Sequence, residues 1–214
     1  MLTQVKMKSL PIILTLLFGL TISSKAQLSE DQQPKTPVWT EEDRQYLLNN
    51  LIKSKEELIQ ETKGLSIEQW NFKESSDRWS INQIVEHLAI WELIVMHEIS
   101  VALQMGEFPQ LKKYPADSLF LGKSPKKNET TDFTKPFSYP VPLGSNDGKN
   151  NIIWLTTMRA ESIEFVENET KNLRLYYVNF GPNIHHKCMQ IFAHNYRHLN
   201  QIRKVKDHSN YPKP

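Results

Sequence analysis

The chain has 214 residues, 39% of them hydrophobic and 23% charged, which is the balance of a globular chain with a core of ordinary size and excludes disorder throughout. A net charge of +2, from 26 basic and 24 acidic residues, is too small for the strong positive field of a nucleic-acid binder. A single cysteine, Cys188, excludes an intrachain disulfide.

The first element is a leader. "MLTQVKMK" supplies positive charge through Lys6 and Lys8, and "SLPIILTLLFGLTI" is apolar but short for a bilayer span. "SSKAQ" then places small residues at Ser24 and Ala26, as signal peptidase requires. Residues 1–26 are therefore predicted to be a signal peptide cleaved before Gln27, making the protein exported, periplasmic or secreted. Residues 27–39, polar and with two prolines, read as a flexible leader, and a bundle domain is predicted over 40–212.

Thr40, followed by Glu41, Glu42 and Asp43, is the N-cap signature of a first helix. Leu47, Leu48, Leu51, Ile52, Leu58 and Ile59 recur along it at helical spacing, and Gly64 should stop it. A connection follows, with one short turn from Ser66. Ser80 and Gln83 then form a capping box, with Trp79 and Ile84 placed as its hydrophobic staple. The second helix should run to about Gln104, burying Ile81, Ile84, Val85, Leu88, Trp91 and Val95.

Residues 105–150 are proline-rich, long for a structureless connection, and suited to wrapping the bundle or covering a site. Their basic cluster "KSPKKN" reads as a solvated loop. A third helix is predicted from about Asn151 to Glu169, and a fourth from Asn183 to Val205, followed by a frayed tail. Four amphipathic helices with almost no strand signal predict an all-α four-helix bundle with a long loop between the second and third helices.

Seven histidines fall at 87, 97, 185, 186, 194, 198 and 208. His194 and His198, four apart, lie one above the other on a helix face, so both can aim a ring nitrogen at one point. Alone the pair is weak. His87 lies on the buried stripe of the second helix, beside Ile84, Ile90, Trp91 and Ile94, and facing helices in a bundle build sites from inward side chains. His87, His194 and His198 together make a three-nitrogen metal site with an open fourth position, the pattern of catalytic zinc. Asn195 stands where the H-E-x-x-H metalloprotease motif needs glutamate, so that reading fails.

His185 and His186 at the helix start are expected to face solvent. Cys188 and His97 lie off the site's face. Gln201 is the candidate for orienting a ligand imidazole from behind. Glu86, Glu92 and Glu98 are general-base candidates by position only, explained as well by solvated helix faces, and no catalytic residue is assigned. Arg197 is a candidate anion contact, with surface exposure the safer expectation.

Three segments match a known pattern. "RWSINQIVEHLAIWE" (78–92) resembles the second-helix motif of the DinB-like superfamily, "FAHNYRHLNQIRKV" (192–205) its closing helix, and "RAESIEFVENETKNLR" (159–174) its third helix and exit. The resemblance covers about residues 40–212. It implies a metal-binding four-helix bundle related to bacillithiol and mycothiol S-transferases, with a divalent metal, zinc or nickel, on His87, His194 and His198. The expected function is that of a metal-dependent enzyme, a thiol S-transferase or a hydrolase, since a divalent cation acidifies a bound thiol or water. The alternative is a catalytically silent metal-binding or stress-related bundle. Candidate partners are a small-molecule substrate, with a thiol among the candidates, and a second copy of the chain in a homodimer. No nucleic acid is expected, and the membrane only through the leader before its cleavage.

Overall fold

The computed structural model describes residues 36–109, 117, 140–179 and 181–213. The signal peptide, most of the leader and the "KSPKKN" loop lie outside the described residues. Five helices follow in order: α1 (Glu41–Thr62), α2 (Ile67–Asn71), α3 (Ile81–Met105), α4 (Gly148–Asn168) and α5 (Ile184–Lys206). No strand occurs among the described residues, only an isolated antiparallel bridge between Tyr177 and Asn183. The expected all-α architecture is what the fold shows.

Each long helix begins where side-chain chemistry satisfies its free N–H groups. Thr40, Ser66 and Ser80 each close a reciprocal capping box, with Asp43, Gln69 and Gln83 respectively. Asp147 and Asn183 cap α4 and α5 by accepting from Asn150 and His186 N–H. The chain leaves α1 through Gly64 at φ 72°, a left-handed turn that glycine makes without a Cβ clash. α4 starts three residues before the predicted Asn151. Its first residue, Gly148, reads as a loop residue, yet it belongs there because a Cβ would meet the Trp70 indole at 2.1 Å.

The long helices pack in a ring. α3 lies against α4 and α5, and α1 closes the opposite side against the same two helices. α1 and α3 are thus diagonal, and α3 meets α5 along one edge. The short α2 leans on α3.

Buried apolar side chains form two clusters. One gathers Leu47 and Leu51 of α1, Val95 and Ile99 of α3, Val166 of α4 and Ile184 to Phe192 of α5. The other gathers Leu58, Ile81 to Ala89, Leu155 and Leu199 to Val205. On every long helix the residues between the clusters include buried polar ones: Ser54, Glu92, Arg159 with Ser162, and Asn195 with His198. A polar belt crosses the middle of the bundle. Within it Arg159 holds Glu92 through two bonds of 2.7 and 2.9 Å, donates to Leu51 O and Ser54 Oγ, and Ser162 Oγ donates to Glu92 Oε1. Every charged atom in this network has a partner, which is what makes burying it tolerable.

Several expectations are corrected. Ile52 and Ile59 are 38% and 37% exposed, so the apolar stripe of α1 is narrower than its spacing suggests. Trp39 is buried rather than part of a flexible leader: its indole N–H donates to His185 Nδ1, and Arg44 sits over its ring. The tail is docked rather than frayed. Tyr211 packs edge-on against Phe72, and Gln69 Nε2 donates to Pro212 O.

Candidate metal centre

His87 comes from the buried face of α3, and His194 and His198 from successive turns of α5, the helix packed beside it. His87 Nε2 lies 2.9 Å from His194 Nε2. Ring centroids are 4.7 Å apart for His87 and His198 and 4.5 Å for His194 and His198. One ligand nitrogen from each of the three lies within 4.8 Å of the others. Tetrahedral zinc–imidazole bonds place neighbouring nitrogens about 3.3 Å apart, so little adjustment separates this cluster from a metal's coordination shell.

The hydrogen bonds behind the rings fix which nitrogens face inward. His87 Nδ1 is 2.6 Å from Pro140 O and His198 Nδ1 is 2.8 Å from Gln201 Oε1. Both oxygens can only accept, so both Nδ1 atoms carry the proton and both Nε2 atoms present lone pairs. Lone pairs converging at this spacing need a proton or a cation among them. The donor set therefore fits a divalent metal with borderline-soft preferences.

Two indoles wall the site. Trp91 stacks on His194 with centroids 4.7 Å apart, and Trp79 tilts over His87 at 4.8 Å. Trp91 Nε1 is buried and without a hydrogen-bond partner among the described residues. Arg197 Nη2 reaches within 3.3 Å of His198 Nε2.

The end of the long connection is clamped to α3 at the same place. Leu143, Gly144 and Ser145 N–H all donate to the Glu86 carboxylate, at 3.1, 2.7 and 3.3 Å. Gly144 has φ 70°, and such a run of N–H groups is an anion-binding nest. Glu86 is thus a buried anchor, not a solvated residue or a free base. By fixing 143–145 it also holds Pro140 O against the next residue, His87. Glu92 is likewise buried and committed to Arg159. Glu98 is half-buried and pairs with Lys187 at 2.5 Å. None of the three carboxylates named from position stands as a free base at the triad.

The other histidines separate cleanly. His97 is exposed. His185 and His186, expected in solvent, are 1% and 0% exposed. Arg174 draws them into a second polar cluster: it lies 2.8 Å from Asp43 and 2.9 Å from Asp117, while His186 Nε2 meets Asp117 Oδ1 at 2.9 Å. Asp43, Asp117 and His185 are close enough to hold a cation. The Arg174 guanidinium already occupies that role, however, and the Trp39 indole occupies the lone pair of His185 Nδ1. This second cluster is structural. Cys188 is buried in the first apolar cluster, where burial pushes its thiol up to about 12 and makes it inert.

A protein-family model describing the DinB superfamily matches residues 50–202, which spans α3, α4, most of α5 and all three histidines. The chain belongs to the DinB superfamily. No curated protein and no solved structure matches it.

Burial pushes the His87 and His185 imidazoles down to about 4, and pushes His194 and His198 well below their ordinary value, helped by the neighbouring imidazoles and by Arg197. The triad is neutral at pH 7, as ligands must be. The sign for stability follows. Between the unfolded value of about 6.5 and the folded value, the unfolded chain takes up protons that the folded chain refuses. Acidification through that window therefore favours unfolding, and the stability present above it is progressively lost. In the presence of a chelator, the urea midpoint is expected to fall steadily from pH 7 to about pH 4.5. A flat or rising midpoint would contradict neutral buried imidazoles.

Proposed function

We propose that this DinB-superfamily protein holds one divalent metal, zinc or nickel, through Nε2 of His87, His194 and His198, and works as a metal-dependent enzyme of the thiol S-transferase or hydrolase type. The observation that carries the reading is the pair of backing bonds, Pro140 O on His87 Nδ1 and Gln201 Oε1 on His198 Nδ1, which turn the metal-binding nitrogens inward. In this reading Gln201 and Pro140 fix ring orientation and tautomer, and Trp79 and Trp91 limit solvent access. A divalent cation with an open position supplies Lewis acidity, lowering the pKa of a bound thiol or water. Three neutral imidazoles leave that charge undiminished, which suits either chemistry.

We also propose export, supported by residues 1–26 alone. N-terminal sequencing of the secreted or periplasmic protein is expected to begin at Gln27, and an intact Met1 would reject it.

A specific observation favours a second reading, a metal-binding bundle without turnover. Glu86 and Glu92 are engaged elsewhere, and Trp91 lies flat on His194. One experiment separates the two. Protein purified from its native compartment is expected to carry about one divalent metal per chain. Incubated with a low-molecular-weight thiol and an electrophile, and separately with an ester, it should outpace the same concentration of free metal. Metal at one equivalent with no rate above free metal leaves the silent bundle, and no metal rejects both.

A further inference from the structure

Glu86 and His87 are neighbours on α3, and both reach the 140–145 segment: Glu86 accepts from its N–H groups and His87 meets Pro140 O. That stretch reads Pro-Val-Pro-Leu-Gly-Ser. Its two prolines leave four N–H groups, and three of them donate to the Glu86 carboxylate. Residues 143–145 are exposed, Leu143 by 81%, so apolar packing does not hold them. Packing seats the buried Pro140 and Pro142, but it is non-directional and does not aim a carbonyl. Farther along, Asn146 O is tied to Asn82 and Asn151. Between that tie and Pro140, Glu86 is the polar anchor.

The Pro140 carbonyl matters because it decides a tautomer. A neutral imidazole carries its proton on either nitrogen, and the bond made at one of them chooses. The 2.9 Å contact between His87 Nε2 and His194 Nε2 does not choose, since either ring can donate and the other accept. Pro140 O can only accept. Its 2.6 Å bond puts the His87 proton on Nδ1 and leaves Nε2 bare for a metal. Without that bond, Nε2–H donating toward His194 becomes an open alternative, and a protonated Nε2 is not a ligand.

Resting on the metal reading above, we propose that Glu86 is a positioning residue of the triad. Through the 143–145 N–H groups it aims Pro140 O at His87 and so holds that imidazole in its metal-binding tautomer. The coupling runs both ways. A metal on Nε2 makes the Nδ1 proton more acidic and strengthens its bond to Pro140 O. Occupancy therefore tightens the segment on α3 by the same factor by which the clamp tightens the metal.

Nitrogen-15 NMR of the histidine side chains reads the tautomer directly, on chelator-treated protein at pH 7 and independently of any turnover. Wild-type His87 is expected to be protonated at Nδ1 alone. In Glu86→Gln an amide NH2 faces backbone N–H groups, so the clamp opens and His87 should show the Nε2–H form in part or in whole. His198, backed by Gln201, should keep its tautomer. Gly144→Ala opens the clamp from the other side without touching α3: a Cβ there meets nothing within 4 Å, but φ 70° disfavours any side chain. It should move His87 in the same direction. Zinc affinity, measured by chelator competition, should fall about ten- to a hundredfold in Glu86→Gln and less in Gly144→Ala. In the wild type, zinc should also slow amide exchange at Leu143, Gly144 and Ser145. An unchanged His87 tautomer and zinc affinity in the variants overturns the proposal, as does wild-type amide exchange at 143–145 that bound zinc leaves unmoved. Should Glu86→Gln fail to fold, Gly144→Ala decides alone. Failure of the wild type to bind zinc overturns the metal reading instead, a distinct result because the tautomer is read on metal-free protein.

Discussion

A chain carrying His194→Ala is expected to leave purification without tightly bound divalent metal. His194 is the middle member of the group: its Nε2 lies 2.9 Å from that of His87, and its ring is 4.5 Å from that of His198. Removing it leaves two donors from different helices, which cannot close a tetrahedral shell. A metal that binds the folded chain in preference to the unfolded one adds stability by mass action, about 2.7 kcal/mol at a free concentration a hundredfold above Kd. Adding a chelator should therefore lower the thermal midpoint of the wild type and leave that of His194→Ala unmoved. The imidazole packs against Trp91, so the variant should also lose some stability whether or not metal is present. The difference between the two chelator responses removes that contribution. Unchanged metal content in the variant, or an equal chelator response, would reject the triad as the binding site.

Arg159→Ala is expected to destabilise the fold by about 3–5 kcal/mol, the usual consequence of stranding one partner of a buried ion pair. Arg159 and Glu92 are each 1% exposed. Truncation leaves the Glu92 carboxylate in the interior with Ser162 Oγ alone, and releases Leu51 O and Ser54 Oγ as well. The double variant Arg159→Met with Glu92→Leu, which removes both charges and keeps much of the volume, should lose considerably less. Urea unfolding of the wild type, the single variant and the double variant measures both differences. A loss below about 1 kcal/mol for Arg159→Ala would mean that water or a rearranged side chain rescues Glu92, and the network would not be the tight one described.

Much of this architecture is legible from local chemistry. Thr40, Ser80 and Asn183 announce helix starts because a cap acts within four residues of itself, and the buried faces follow from spacing alone. The same locality explains what is read wrongly. Glu86, Glu92, His185 and His186 look like solvent-facing residues because their side chains are polar. Their partners, however, come from far along the chain: the 143–145 backbone, Arg159, Trp39 and Asp117. No pattern within a helix reports a partner about 60 to 150 residues away. The approach of His87, His194 and His198 is an intermediate case. Each histidine sits on an apolar stripe that must be buried, so convergence is foreseeable once α3 and α5 are neighbours. The carbonyl of Pro140 behind His87 is not foreseeable, since a backbone oxygen carries no residue signature. Nor is the contact of Arg197 with His198, because on a helix successive side chains ordinarily point about 100° apart.

The belt of polar groups across the bundle also acts as an alignment key. Apolar surfaces alone tolerate sliding, since one leucine replaces another at little loss. Here, moving α3 or α4 by a single turn would carry Glu92 or Arg159 out of reach of its counterion and oppose it with hydrocarbon. Only one axial setting of α1, α3 and α4 satisfies the ionic layer. The helix that carries His87 is thereby indexed against α1 and α4 to within a fraction of a turn, the kind of tolerance that a site assembled across helices needs.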